Sequence, residues 1–242
     1  QSQRYSLYMS IDSPVKRGSV GVRSVGGEGL SLVGWITHSR FALYSNFTFF
    51  ANDPVNGDMI RQGDDRTIFG MRAKYGFNHR FDRVALKTRF GANFRFDSID
   101  NTLQDAPARE VSNTRVDANI GEGSVGVFGE EELKWKWIRL IAGLRFDYFG
   151  FNVTDRLEDT TTPDTKTSGE RAQGILLPKG SLITQPVEQL ELFFNFGRGF
   201  HSNDARGVVL GTDPVTPLTP ALGWELGARV IAWERFQLSA VF

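Results

Sequence analysis

From Arg83 to Asp97 the chain reads RVALKTRFGANFRFD, and its apolar positions recur every second residue. Val84, Leu86, Thr88, Phe90, Ala92, Phe94 and Phe96 fall on one face. Arg83, Ala85, Lys87, Arg89, Gly91, Asn93, Arg95 and Asp97 fall on the other. Successive side chains of a strand point to opposite sides of a sheet, so this period predicts a strand. It is far longer than the roughly five or six residues of a common globular strand.

The period returns along the chain. Phe69, Met71, Ala73, Tyr75 and Phe77 alternate with Gly70, Arg72, Lys74 and Gly76. Ile138, Leu140, Ala142, Leu144, Phe146 and Tyr148 alternate with Arg139, Gly143, Arg145 and Asp147. Leu190, Leu192, Phe194 and Phe196 form a further row, as do Leu222, Trp224, Leu226, Ala228 and Val230. Phe41, Leu43, Phe47 and Phe49 follow the pattern less regularly. Strands are predicted near 3–12, 28–36, 41–50, 67–77, 83–97, 124–136, 138–151, 174–185, 189–200, 221–232 and 236–242. No segment shows a helical period.

One face of these strands is apolar and aromatic, while the other carries charge and glycine. Long strands in series with that split fit an antiparallel barrel that has lipid outside and water or a plug inside. Ten residues at ~3.3 Å, tilted by about 45°, rise roughly 23 Å, close to the ~25 Å apolar band of such barrels. Connections alternate too. NHRFD, the Lys136 region and PVEQ are short, whereas Ser98–Ile120, Asn152–Gln173 and His201–Pro220 are long and polar. Short periplasmic turns and long extracellular loops are the expected arrangement. The predicted fold is therefore all-β: about 11 long strands of an antiparallel transmembrane β-barrel. Bacterial single-chain barrels have even strand numbers, and the last strand near 236–242 runs outward from the periplasm. More strands are expected to complete the wall. A soluble β-sandwich, with its charged face in water, is the structural rival.

Composition adds exclusions. Among 242 residues, Lys plus Arg number 28 and Asp plus Glu number 28, a balance that gives no reason to expect nucleic acid. The absence of cysteine removes disulfides, thiolate catalysis and zinc–thiolate sites. No apolar run approaches the roughly 18–20 residues of a membrane helix. No signal segment opens the chain, so a removed leader or a missing N-terminus is expected.

GEGSVG, Gly121–Gly126, matches the glycine spacing of a dinucleotide-binding turn, and Asp147 lies about twenty positions on. Such a turn must open a helix, yet Val125, Val127, Leu133 and Trp135 continue a strand period. These glycines are read instead as room for bulky neighbours on a barrel wall. Glu130 and Glu132 share a face and are read as lumen-facing rather than catalytic. Glu131 points toward the lipid side and needs an interface, a neighbour or a bulge. His38 and His79 are placed at turns, and no histidine pair has ligand spacing, so no metal site is predicted. No G-x-S-x-G elbow supports nucleophilic catalysis. The basic rows Arg83, Lys87, Arg89 and Arg139, Arg145 are expected to pair with carboxylates of adjacent strands or of a plug.

ELFFNFGRGFHSNDARGVV, Glu191–Val209, resembles a strand and loop common in TonB-dependent outer-membrane receptors. LPKGSLITQP (Leu177–Pro186), EEELKWKWIRLIAGLRFDYFGFNV and GWELGAR (Gly223–Arg229) resemble neighbouring strands of that family in the same order, and SNFTFFANDPVNGD (Ser45–Asp58) resembles an extracellular segment of one branch. The resemblance implies that residues 1–242 are part of a 22-stranded receptor barrel, with the plug domain and both barrel ends missing. It implies a bacterial outer-membrane location and contact with the lipid bilayer. It implies no catalysis and no cofactor. The expected function is uptake of a small, scarce ligand, siderophore-like or another small complex. The TonB complex would energise uptake through the plug domain absent from this chain. Specificity is expected in the loops near 51–66, 98–121, 152–173 and 201–220. His201, Asp204 and Arg206 are the candidate ligand-binding residues, and loop anchoring is their structural reading. A passive porin-like channel and a β-barrel hydrolase are the functional rivals.

Overall fold

A computed structural model describes residues 4–12, 15–23, 29–158, 167–232 and 236–242, with side chains from Gly29 onward. The described residues form one sheet of eleven antiparallel strands, each beside its neighbours in sequence. They are β1 (Arg4–Asp12), β2 (Val15–Arg23), β3 (Gly29–Ser45), β4 (Ile60–Phe81), β5 (Val84–Asp105), β6 (Asn113–Trp135), β7 (Ile138–Asp155), β8 (Gly169–Val187), β9 (Leu190–Ser202), β10 (Leu218–Ala232) and β11 (Phe236–Val241). A five-residue helix, α1 (Ala205–Val209), lies between β9 and β10. No helix among the described residues is long and apolar enough to cross a membrane, a fact silent on strands.

The count of eleven matches the expectation through two compensating differences. The strands expected at 28–36 and 41–50 are one strand, β3, and β2 was not anticipated. Val20 and Val22 are too few to make a row readable beside Gly18 and Gly21. Within β3, Phe41 pairs with Asp64 and Leu43 with Gln62, which puts both on the polar face. Phe47 and Phe49 lie beyond the strand, so the four do not form a lipid-facing row. His38 and His79 are inside β3 and β4, not at turns. Residues 233–235, between the strands expected near 221–232 and 236–242, and residues 159–166 of the expected Asn152–Gln173 loop lie outside the described residues.

The strands also outrun the apolar rows. β4, β5 and β6 have 22, 22 and 23 residues. At ~3.3 Å per residue and about 45° of tilt, 22 residues rise roughly 51 Å, about twice the ~25 Å apolar band. Ser98–Ile120, expected as a long loop, is mostly paired strand: Ile99 faces Ile120, Asn101 faces Ala118, and only 106–112 connects. Backbone pairing continues where the outward side chains change from Phe94 and Phe96 to Ser98, Asp100 and Thr102. The apolar row is shorter than the strand that carries it, and the strand ends further out.

The apolar face is open to its surroundings. Phe69, Met71, Phe90, Phe94, Phe146, Phe194, Trp224 and Leu226 are all exposed. The opposite face holds the buried charges Asp97 and Asp147, each 2% exposed. Glycines make room there for large neighbours. A Cβ at Gly70 would run into the Trp35 ring, at Gly91 into the Ala73 carbonyl and the Phe128 ring, and at Gly126 into Asp147, Arg145 and Asn93. Gly126 closes the GEGSVG stretch, which sits wholly inside β6 with no helix after it.

Candidate functional site

The polar face is laced by ion pairs within and between strands. Arg89 Nη2 on β5 reaches Glu130 Oε1 at 2.6 Å and Glu132 Oε2 at 2.9 Å on β6. Lys179 on β8 also contacts Glu130. Arg145 Nε donates to Asp147 Oδ2 at 2.5 Å, and its Nη2 donates to Asn93 Oδ1 at 2.6 Å. Arg95 holds Asp97 from the same strand, and Arg66 of β4 approaches Asp97 at 3.8 Å. Arg89, Arg139 and Arg145 of the basic rows thus have carboxylate partners on the sheet itself, one of the two alternatives expected for them. Glu130 and Glu132 are bridged by one guanidinium rather than set across a substrate gap. Glu131, on the other face, accepts from the Thr88 hydroxyl at 2.7 Å. A neighbouring strand thus satisfies one of its oxygens, while Oε1 is buried without a hydrogen-bond partner.

Further out, the β9–β10 connection folds back over the polar face. Asp204 caps α1, accepting from the Arg206 amide at 2.9 Å. Ala205, Val208 and Val209 then fall on one side of the helix, at the i, i+3, i+4 spacing that shares a face. They pack against Ile99, Ala118, Ile120, Phe151, Val153, Ile175, Leu177 and Leu218. Phe149 and Phe200 flank this cluster with their rings 5.3 Å apart, edge to face. This is the main apolar core among the described residues, and it lies on the charged side of the sheet.

Of the three candidate residues, the structure brings two together. Arg206 donates from Nη2 to Asp204 Oδ2 at 2.7 Å and from Nη1 to Asn101 Oδ1 at 3.1 Å. The Arg206 hydrogen bond holds the Asp204 carboxyl below the usual carboxylate range, against the opposing effect of burial. His201 is separate: it sits exposed at the end of β9, opposite Thr219. Arg206 borders a cavity of about 480 Å³ between the folded-back connection and β3–β5, lined also by Phe41, Asp64, Arg66 and Asn101. That volume lies within the roughly 300–1,000 Å³ range of small-molecule sites. Phe41 and Asn101 could not be assigned to a site from sequence, because each acquires its neighbours from a strand distant in the chain. The helix had one readable signal, an Asp before apolar residues spaced i, i+3, i+4, but one turn is too short to show a period.

A second cavity of about 430 Å³ lies at the β3–β4 connection, residues 46–59. There Asp58 accepts backbone hydrogen bonds from Asn52 and Asp53, and Asp53 accepts from Val55 and Asn56. Both carboxyls are held below the ordinary value, Asp58 chiefly by the Asn52 amide and Asp53 chiefly by the Asn56 amide. Among the described residues no group of three or more metal-ligating side chains is assembled.

Comparison with known proteins matches residues 24–242 to a family model described as TonB dependent receptor-like, beta-barrel. No curated protein sequence matches the chain. Among solved structures, the fold resembles the unliganded ferric citrate transporter FecA, with TM-score 0.72 and 14% identity, covering 89% of this chain and 32% of that one. It also resembles the siderophore receptor PiuA from Acinetobacter baumannii, with TM-score 0.71 and 9% identity, covering 94% of this chain and 39% of that one. The ferric preacinetobactin receptor BauA from the same organism gives TM-score 0.65 and 12% identity, covering 94% and 37%. The chain thus spans about a third to two fifths of the length of these structures. At these identities the likeness shows a shared fold.

Proposed function

Because the chain belongs to the TonB-dependent receptor family, matched over its β-barrel, we propose that it is barrel wall of a bacterial outer-membrane receptor that imports a small ligand with TonB energy. Its apolar face meets the bilayer, and its charged face lines the bore. One observation carries the reading: paired strands continue well past the apolar rows and gather a folded-back connection and two small-molecule-sized cavities at their outer ends. A wall built only to span lipid needs no such extension. The ion-paired bore face suits a protein surface or water against it, not hydrocarbon. Energy reaches the bore through a plug domain supplied elsewhere in the receptor, on which the TonB complex pulls. The names of the structural relatives favour an iron–siderophore or similar metal complex as cargo.

The test compares uptake of radiolabelled ferric citrate and ferric catecholate complexes by cells with and without the gene, before and after collapse of the proton gradient. Uptake that needs both the gene and the gradient is expected. Gene-dependent uptake that persists at full rate after collapse would instead establish a passive channel.

A further inference from the structure

The β9–β10 connection has the length of a capture loop and is exposed over residues 211–216, yet its helical part, Ala205–Val209, is built like core. Val208 and Leu218 are completely buried, and Ala205 is 1% exposed. They join one cluster with residues of β5, β6, β7 and β8, and α1 itself lies against β6, β7 and β8. Burial takes the side chains of Val208, Val209 and Leu218 out of water, which favours the closed arrangement. Polar ties close the rest. Asn203 Nδ2 donates to the Thr216 carbonyl at 2.7 Å and to Thr219 Oγ1 at 3.0 Å, which joins the two ends of the connection. Val215 N donates to the Gly207 carbonyl at 3.0 Å, folding its middle onto the helix. Leu218 N donates to Gln173 Oε1 at 3.0 Å, and Arg206 reaches Asn101 across the bore face. The β3–β4 connection is the opposite case. Phe47 is 83% exposed and Val55 84%, with Phe49 and Phe50 also open.

We infer that residues 203–217 are a fixed shelf on the bore wall, which bounds the space beside Arg66 and Arg206 and so sets the size of ligand that fits there. First contact with ligand is left to connections such as 46–59, whose large apolar groups are exposed. Opening the shelf would expose Val208, Val209 and Leu218 together with the strand residues beneath them, and few ligand contacts could offset that. A fixed shelf makes ligand selection a matter of fit to a standing cavity, with Arg206 held in place by Asp204 and Asn101. The inference rests on the receptor reading only for the consequence of the shelf, not for its rigidity.

The geometry supplies a direct test. A Cβ at Gly169 would lie 3.5 Å from the Val209 Cβ, within the roughly 3.5–4.5 Å that a disulfide spans. In the intact receptor, Gly169→Cys with Val209→Cys is expected to form the bond under mild oxidation, and uptake is expected to be the same oxidised or reduced. Separately, in the unmodified receptor the amides of Val208 and Val215 are expected to exchange with deuterium as slowly as those of the strands. A pair that stays reduced, an oxidised receptor that loses uptake while the reduced form keeps it, or exchange at those amides as fast as in an exposed loop would each overturn the shelf. If the unmodified receptor imports none of the ferric complexes tested, bond formation and exchange still decide the question.

Discussion

Glycine and charge on the bore face are two halves of one device. Gly126 has no side chain because Asp147, Arg145 and Asn93 occupy its space. Those three groups satisfy one another, with Arg145 donating to both others. A buried carboxylate left without its cation is strongly destabilising, so the room for the pair matters as much as the pair. Gly150 is a contrast: a Cβ there meets nothing within 4 Å. Gly126→Ala should therefore destabilise the intact receptor by about 1–3 kcal/mol, the usual range for overpacking. Gly150→Ala should stabilise it by roughly 0.5–1 kcal/mol, since an unneeded glycine costs only backbone entropy. Denaturant unfolding of the two variants checks the opposed signs.

Among the elements, the β3–β4 connection is held by ionised carboxylates rather than by a core. Asp58 and Asp53 accept backbone hydrogen bonds as anions, which lowers both from the ordinary 3.8. A depressed carboxyl adds stability that is present above its unfolded pKa and is lost as pH falls through the folded one. The connection should therefore keep its conformation at pH 5 and loosen only below pH 3.8. Limited proteolysis at residues 46–59 across that range reads the transition. Asp58→Asn should give the loosened form already at neutral pH, because an amide is a weaker acceptor for the Asn52 and Asp53 amides. In the β9–β10 connection the apolar seal at Ala205, Val208 and Val209 has no such dependence, and cleavage within 205–209 should stay slow at pH 5.

For the whole molecule, closure is the governing constraint. The eleven strands run in sequence order, and β1 and β11 each pair on one side among the described residues. Unpaired backbone in hydrocarbon costs several kcal/mol per group, so such edges need partners from the rest of a barrel wall. The 242-residue chain produced alone is expected to stay in aggregates on refolding into detergent. The intact receptor should instead run on gels at different positions heated and unheated, as closed barrels do. A heat-modifiable band from the isolated chain would show that these strands close by themselves.

Period-two alternation was enough to establish the all-β sheet, the direction of most rows, and the separation of an apolar from a charged face. These are properties of one strand at a time, fixed by the geometry that sends neighbouring side chains to opposite sides. Pairing across strands set what alternation could not. It joined 29–45 into a single strand, carried β5 and β6 past their apolar rows, and moved Phe41 and Leu43 to the bore face. The candidate site shows the same division. Asp204 and Arg206 stand out in the sequence because they are charged and close together. Asn101, Val208 and Leu218 gain their meaning only when a connection 100 residues further along the chain than Asn101 folds back over β5–β8. Burial of that kind is a contact between distant segments, and no local pattern records it.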